Sequence, residues 1–277
     1  MRKLLNANFA RLWKDKAFWC NAAVVLIVSL AESLQGSGSA QNMMAMGYMV
    51  TLDDYFYNNA NMMGLFYAIF VSLFLGTEYS DGTIRNKLLI GHRRGAVYAA
   101  SFLTCLCAGA VLILIWMIGS LPGLFLVGKL EMGITGFAVY LLIALGFTAA
   151  LISLFTLIAS LSDNKALTVV FCLGAWLVLL LCASGVYDRL CEPELQSGVM
   201  LTVDGLQTMA PEPNPLYVSG AMRRLLECVL DFLPTGQTLQ MSNNEITLPA
   251  RELIFSWLFT FGTCAAGLLA FRRKDIK

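Results

Sequence analysis

Six apolar segments separated by polar stretches dominate the pattern of the 277-residue chain. A helix that crosses about 30 Å of hydrocarbon needs about 20 predominantly apolar residues. Six segments approach or exceed that length, with approximate limits 18–34, 61–76, 96–118, 134–160, 166–186 and 253–271. The pattern predicts an all-α membrane protein in which residues 1–277 form one transmembrane domain of six helices.

The third segment lies in an uncharged stretch from Gly95 to Gly128, which is too long for one straight span. Proline has no N–H group to donate and disrupts the interior of a helix. We therefore expect the third helix to end near Pro122 and Gly123, which leaves residues 124–127 at the membrane interface.

Residues 1–17 precede the first span, and their apolar positions recur with helical spacing. The apolar face holds Leu4, Leu5, Phe9, Leu12 and Trp13, whereas Arg2, Lys3, Asn8, Arg11 and Lys14 surround the other face. This pattern predicts an amphipathic helix at the membrane interface. A cleaved signal peptide is the alternative interpretation of the first span, because residues 38–40 resemble a cleavage site.

The basic residues indicate the orientation of the helices, since Lys and Arg accumulate in cytoplasmic loops. With the N-terminus inside, 14 of the 19 basic residues fall on the cytoplasmic side. The other five are Lys129, Arg189, Arg223, Arg224 and Arg251. Both termini are therefore expected in the cytoplasm, with residues 187–251 as an external segment between spans five and six.

The composition agrees with a chain embedded in lipid. Apolar residues (AVILMFWYC) make up 58% and charged residues 13%, whereas a soluble domain has about 45–50% and about 25%. So few charges cannot solvate a globular surface. A formal net charge of +1 gives no sign of a nucleic-acid partner. We expect a multi-pass protein of a cell membrane, and specifically of a bacterial plasma membrane.

The titratable residues argue against an enzyme and against a carrier with its own energy source. His92 is the single histidine, which excludes a multi-histidine metal site. Carriers driven by ion gradients usually keep ionisable groups near the midplane, but here the nearest is Glu32, close to the outer end of the first span. Residues 123–129 have P-loop spacing, yet Leu130 replaces the hydroxyl that would bind Mg²⁺. We expect no catalytic residue, no metal ligand and no ATPase site.

The segment between spans two and three is the most informative part of the sequence. The dipeptide 81–82, Asp-Gly, predicts a turn, after which Thr83 is expected to cap a short helix that ends at Gly91. On that helix Ile84 and Leu88 share a face. The residues leave two interpretations open: a stiff helical knob on the cytoplasmic surface, or a basic loop that only fixes the topology.

This segment resembles the corresponding loop of ABC-2-type transporter permeases. That loop tends to carry an acidic residue, Gly-Thr, a basic residue, a leucine pair and an arginine before the third span. The residues in this chain are Glu78, Gly82, Thr83, Arg85, Leu88, Leu89, Arg93 and Arg94. The layout is also similar, including a proline-containing stretch at 232–237 before the last span. One departure is Ala-Ala-Ser at 99–101, where many members have a lysine.

The resemblance implies a permease subunit of an ATP-driven exporter. Such permeases pair as homo- or heterodimers and work with two separate ATPase subunits, which bind ATP and Mg²⁺. Residues 77–94 would then hold a coupling helix that docks on the ATPase, with Ile84 and Leu88 filling its groove. Three arginines would pair with acidic groups or lipid phosphates: Arg85, Arg93 and Arg94. A self-contained secondary transporter or channel, and a membrane anchor or sensor, are the alternatives.

The external segment carries two further expectations. Cys191 and Cys228 both lie within it, and they either form a disulfide or remain free thiols. Residues 218–233 contain an apolar stripe with helical spacing, formed by Met222, Leu225, Leu226, Val229, Leu230 and Leu233. We expect a helix that either dips into the outer leaflet or caps the bundle.

Overall fold

A computed structural model of the protein describes residues 1–50, 56–58, 60–127, 132–196, 199–202, 205–208 and 211–274. Most of them lie in ten α-helices: α1 (Arg2–Lys14), α2 (Lys16–Ala45), α3 (Ala60–Ser80), α4 (Thr83–Leu89), α5 (Arg94–Val127), α6 (Gly133–Leu161), α7 (Lys165–Cys191), α8 (Gly220–Phe232), α9 (Pro234–Ser242) and α10 (Pro249–Arg273). Four short strands between α7 and α8 form two antiparallel pairs: β1 (Leu195–Gln196) with β4 (Glu212–Pro213), and β2 (Val199–Thr202) with β3 (Gly205–Thr208). The predicted all-α fold is confirmed.

Six of these helices are long and apolar enough to cross a membrane, namely α2, α3, α5, α6, α7 and α10. Each contains one of the six predicted segments, so the number and order of the spans are confirmed. Helix α2 continues to Ala45, well past the predicted limit at residue 34. A helix satisfies its backbone hydrogen bonds internally, and it can therefore extend beyond the apolar run that crosses the hydrocarbon.

Helix α5 also continues past its predicted end, to Val127. The prediction that Pro122 and Gly123 end the helix is wrong, because a hydroxyl from α2 takes up the hydrogen bonds that proline disturbs. The Gly123 N–H donates to Ser33 Oγ at 2.8 Å, and Ser33 Oγ donates to the Ser120 carbonyl at 3.0 Å. Residues 128–130, which complete the P-loop-like spacing, lie outside the described part of the chain.

The core sits around α3 and α6. In the most apolar window of each helix, 67% of residues are buried, against 17% in α7 and in α10. Fully buried aromatic side chains fill the space between the helices, among them Tyr67, Phe70, Phe74, Phe147 and Phe155. Helices α7 and α10 therefore form the periphery, and their large exposed apolar side chains face either lipid or another protein chain.

The N-terminal helix and the end of α10 lie at the same end of the bundle, which we call the proximal end. Arg94, at the start of α5, lies within hydrogen-bonding distance of three carbonyls that end α10, those of Phe271, Arg272 and Lys274. Lys274 in turn donates to the Ser160 carbonyl at 3.1 Å and pairs with Asp163. These contacts satisfy carbonyls at the C-terminal ends of α6 and α10 and connect the two helices to each other and to α5.

The opposite, distal end is organised by the proline-containing stretch at 232–237. The Gln237 side chain is fully buried and donates to the carbonyls of Asp231 and Glu252, at 2.7 and 3.1 Å. Thr235 Oγ1 donates to the Leu179 carbonyl of α7 at 2.8 Å. The stretch that resembles a family motif therefore fastens α8 and α9 to the peripheral spans α7 and α10.

The two expectations about the external segment fall on described residues. Cys191 and Cys228 are both exposed and form no disulfide in this structure, and the choice between a disulfide and two free thiols stays a prediction. Five of the six residues of the predicted apolar stripe lie on a helix, α8, and the sixth, Leu233, is its C-cap. Its Leu230 is buried against the protein, whereas Met222 and Leu225 are exposed.

Candidate functional site

The chain between α3 and α5 folds into a short helix with a sharp turn at each end. Gly82 adopts a left-handed conformation with φ +67° and is the N-cap of α4, rather than Thr83 as predicted. Thr83 begins the helix, and its hydroxyl donates to the Glu78 carbonyl at 3.0 Å. At the other end, Gly91 has φ +94° and donates to the Leu88 carbonyl at 2.9 Å. Glycine is favoured at both positions because a Cβ disfavours positive φ.

Glu78, the acidic residue of the motif, is only 2% exposed and lies at the centre of an ion-pair network. Its Oε1 atom pairs with Arg11 of α1 and with Lys87 of α4. Lys87 also donates to Asn8 Oδ1 at 2.9 Å. Arg11 donates in addition to the Phe74 carbonyl and stacks over the Phe74 ring, 4.0 Å from its centroid. This network, which we call the Glu78 hub, fastens α1, α3 and α4 together.

Sequence reasoning assigned no role in this site to Arg11, Asn8 or Lys87. Arg11 and Asn8 were expected on the polar face of an interfacial helix, and Asn8 is instead buried. The available signal was the charge of Glu78, because a carboxylate next to a span requires a partner when it is buried. The residue that supplies the partner on α1 could not be identified, since it lies far away in the sequence.

The predicted apolar face of α4 points into the protein. Ile84 is 2% exposed and packs in a cluster with Leu4 of α1, Val97 of α5 and Phe271 of α10. Leu88 is partly buried against the same cluster. In this structure Ile84 is therefore not available to the groove of another protein, because α1 and α10 already cover it.

Other residues form the exposed surface of α4 and of the turn after it, which we together call the α4 knob. Leu89 and Ile90 are 75% and 78% exposed. Arg85 and Arg93 are exposed beside them in the sequence. Arg94 differs from these two, since its guanidinium contacts the carbonyls at the end of α10. The knob thus presents two large aliphatic side chains among positive charges.

A helical protein with six helices long and apolar enough to cross a membrane belongs to the class of multi-pass membrane proteins. Residues 4–184 match the family described as ABC-2 family transporter protein. Because the match covers more than half of the chain, the protein belongs to that family. It is thus a permease component of an ABC transporter. No curated protein matches the chain.

The matched residues run from α1 into α7 and include the whole α4 knob. Helices α8, α9 and α10 follow the matched region. The Glu78 hub therefore lies within the part of the chain that carries the family resemblance.

Proposed function

We propose that this permease is driven by a separate ATPase and exports its cargo. Two ATPase subunits would bind ATP and Mg²⁺, and α4 would be the coupling helix that docks on one of them. A second permease subunit, either identical or related, would complete the transporter. Both chain termini and the α4 knob would then face the cytoplasm.

The observation that carries the coupling role is the exposed pair Leu89 and Ile90 at the C-terminal end of α4. Two adjacent aliphatic side chains at the polar end of a membrane protein favour a protein partner that covers them. Because Ile84 and the Glu78 hub anchor the inner face of α4, a displacement of its outer face moves α1 and α3 as well.

The charges of the knob favour the same partner. Arg85 and Arg93 are exposed around the aliphatic pair, so they complement an acidic rim around an apolar groove. Opposite charges at the rim of an interface accelerate association and set its register more than they add affinity. The aliphatic pair would supply the buried centre of the interface.

The dimer is supported by the filled interior of the single bundle. Side chains such as Tyr67, Phe147 and Phe155 occupy its core. Cargo would therefore pass between two bundles rather than through one. We assign no particular helix face to the contact between subunits.

The test is copurification of the permease with a candidate ATPase subunit that carries a Walker P-loop and is expressed together with it. In the double variant Leu89→Glu/Ile90→Glu, two carboxylates would enter an apolar groove without partners, which costs several kcal/mol. We expect loss of the complex and of ATPase stimulation, with normal membrane insertion. The matched control is Leu195→Glu/Leu216→Glu, which changes two exposed leucines in the chain between α7 and α8.

Normal complex yield from the Leu89/Ile90 variant would contradict the coupling role of α4. Transport by the purified permease alone, in vesicles with a proton or sodium gradient, would contradict the dependence on a separate ATPase. That second result would instead favour a secondary transporter.

A further inference from the structure

The turn from α1 into α2 presents aromatic and basic side chains together at the proximal end of the bundle. Trp13 and Trp19 are 53% and 46% exposed, and Lys14 and Lys16, which lie between them in the sequence, are exposed as well. The two indole rings are neighbours, with centroids 5.7 Å apart, and Trp19 Nε1 donates to the Trp13 carbonyl at 3.0 Å. We call these four residues the α1–α2 corner.

The two lysines of the corner are not used inside the protein. Neither Lys14 nor Lys16 forms an ion pair with any residue that the structure describes. Asp15 lies between them in the sequence, but its carboxylate is the N-cap of α2 and accepts from the Ala17 N–H at 2.8 Å. Both ammonium groups therefore remain available to an anion from outside the chain.

The surface of α2 that continues from the corner is apolar. Leu26 and Leu30 follow Trp19 by seven and eleven residues, so the three side chains share one face of the helix. Leu26 and Leu30 are 39% and 38% exposed, and α2 is long and apolar enough to cross a membrane. The corner thus lies where an exposed apolar helix face meets the polar end of a span.

An anionic phospholipid combines the groups that such a surface requires. Tryptophan is enriched at membrane–water interfaces, where its ring lies at the level of the headgroups. Each basic residue beside a span increases the affinity for anionic lipid by about fivefold. A soluble anion would leave the indoles and the apolar face of α2 without a partner, whereas a phospholipid also supplies an acyl chain.

We propose that the α1–α2 corner binds one anionic phospholipid. Its phosphate would contact Lys14 and Lys16, and one acyl chain would lie along the apolar face of α2. The rings of Trp13 and Trp19 would lie at the depth of its glycerol backbone. This inference does not depend on the ATPase of the proposed function. A lipid held there would also fix the position of α1, which the Glu78 hub joins to α3 and α4.

The experiment compares matched variants of the purified permease in detergent. Native mass spectrometry measures the affinity for phosphatidylglycerol, which is anionic, and for phosphatidylcholine, which is zwitterionic, with the same acyl chains. Lys14→Gln/Lys16→Gln removes the two charges of the corner. The matched control is Arg272→Gln/Arg273→Gln, which removes two exposed charges at the same end of the bundle. The melting temperature of each variant verifies folding.

A second pair of variants tests the aromatic contact. Trp19→Ala is compared with Trp257→Ala, because Trp257 has nearly the same exposure, 47%, but lies on α10. Trp19→Ala should weaken the binding of both lipids by a similar factor, since the indole contacts the part that they share. Trp257→Ala should bind both lipids like the wild type.

We expect the wild type to bind phosphatidylglycerol about tenfold more tightly than phosphatidylcholine, because two lysines contribute to the contact. Lys14→Gln/Lys16→Gln should remove most of this preference, and Arg272→Gln/Arg273→Gln should retain it. The preference of the wild type should also decrease as the salt concentration rises, since salt screens exposed charges.

Equal wild-type affinity for the two lipids would overturn the proposal. Equal losses from the two pairs of charge variants would also overturn it, because they would show attraction by the whole basic end instead of a site at the corner. Unchanged binding by Trp19→Ala would equally contradict a site there. Loss of copurification with the ATPase by Lys14→Gln/Lys16→Gln, with unchanged lipid preference, would assign the corner to a protein partner.

Discussion

At the residue scale, one oxygen of Glu78 accepts ion pairs from two helices that are distant in the sequence. Removing a carboxylate from water costs several kcal/mol, which is offset only while its partners remain in place. The free energy of folding that is lost therefore depends on which of the three residues, Glu78, Arg11 or Lys87, is removed. Loss of Arg11 or Lys87 leaves the carboxylate with one partner, whereas loss of Glu78 leaves two half-buried cations facing each other.

Glu78→Ala should therefore destabilise the protein by about 3–5 kcal/mol. Arg11→Ala and Lys87→Ala should each cost less, because one ion pair survives. The measurement is thermal unfolding of the purified protein in detergent, with Asp81→Ala as the control, since Asp81 is exposed on the same turn. A Glu78→Ala protein that melts together with Asp81→Ala would show that the hub contributes little to stability.

At the scale of elements, α2 and α5 depend on each other at Pro122. The proline has no N–H to donate, and the next N–H, that of Gly123, donates to the hydroxyl of Ser33. The two helices also approach closely, because a Cβ on Gly119 would overlap the side chain of Ser29. A proline inside a helix in lipid calls for such a compensating hydroxyl, since water is not available to the backbone.

A double-mutant cycle tests that dependence. Ser33→Ala alone should cost about 1–2 kcal/mol, because it orphans a buried N–H. In a Pro122→Ala background the helix regains a regular ladder, and Ser33→Ala should then cost much less. Unfolding free energies of the four proteins in detergent give the coupling. Additive effects would mean that Ser33 does not compensate for the proline.

The same elements show how far sequence reasoning reaches in this protein. The six spans were predictable because hydrocarbon forces each long apolar segment into a helix. The existence of α4 was predictable from the Asp-Gly turn and Gly91. Its orientation was not, because Ile84 is covered by Leu4 and Phe271, which reach it only through tertiary folding. The continuation of α5 past Pro122 could not be predicted for the same reason, because Ser33, whose hydroxyl bonds to the backbone there, belongs to another helix.

At the scale of the whole molecule, the proximal end behaves as one connected unit. The Glu78 hub joins α1, α3 and α4, and the contacts of Arg94 and Lys274 join α5, α6 and α10. Lys274 also lies 5.0 Å from the centroid of the Tyr79 ring, at the end of α3. A force applied to α4 therefore reaches four of the six spans, α3, α5, α6 and α10, through these polar side chains.

This architecture predicts that the α4 knob and the thiols of the external segment face opposite sides of the membrane. Cys191 and Cys228 are exposed and should react with a membrane-impermeant maleimide on intact cells. A Leu89→Cys variant, in a Cys191→Ser/Cys228→Ser background, should react only after the cells are permeabilised. The background protein without the new cysteine measures labelling of the remaining thiols. Labelling of Leu89→Cys on intact cells would place the knob outside, where no ATPase could reach it, and would remove the physical basis for coupling.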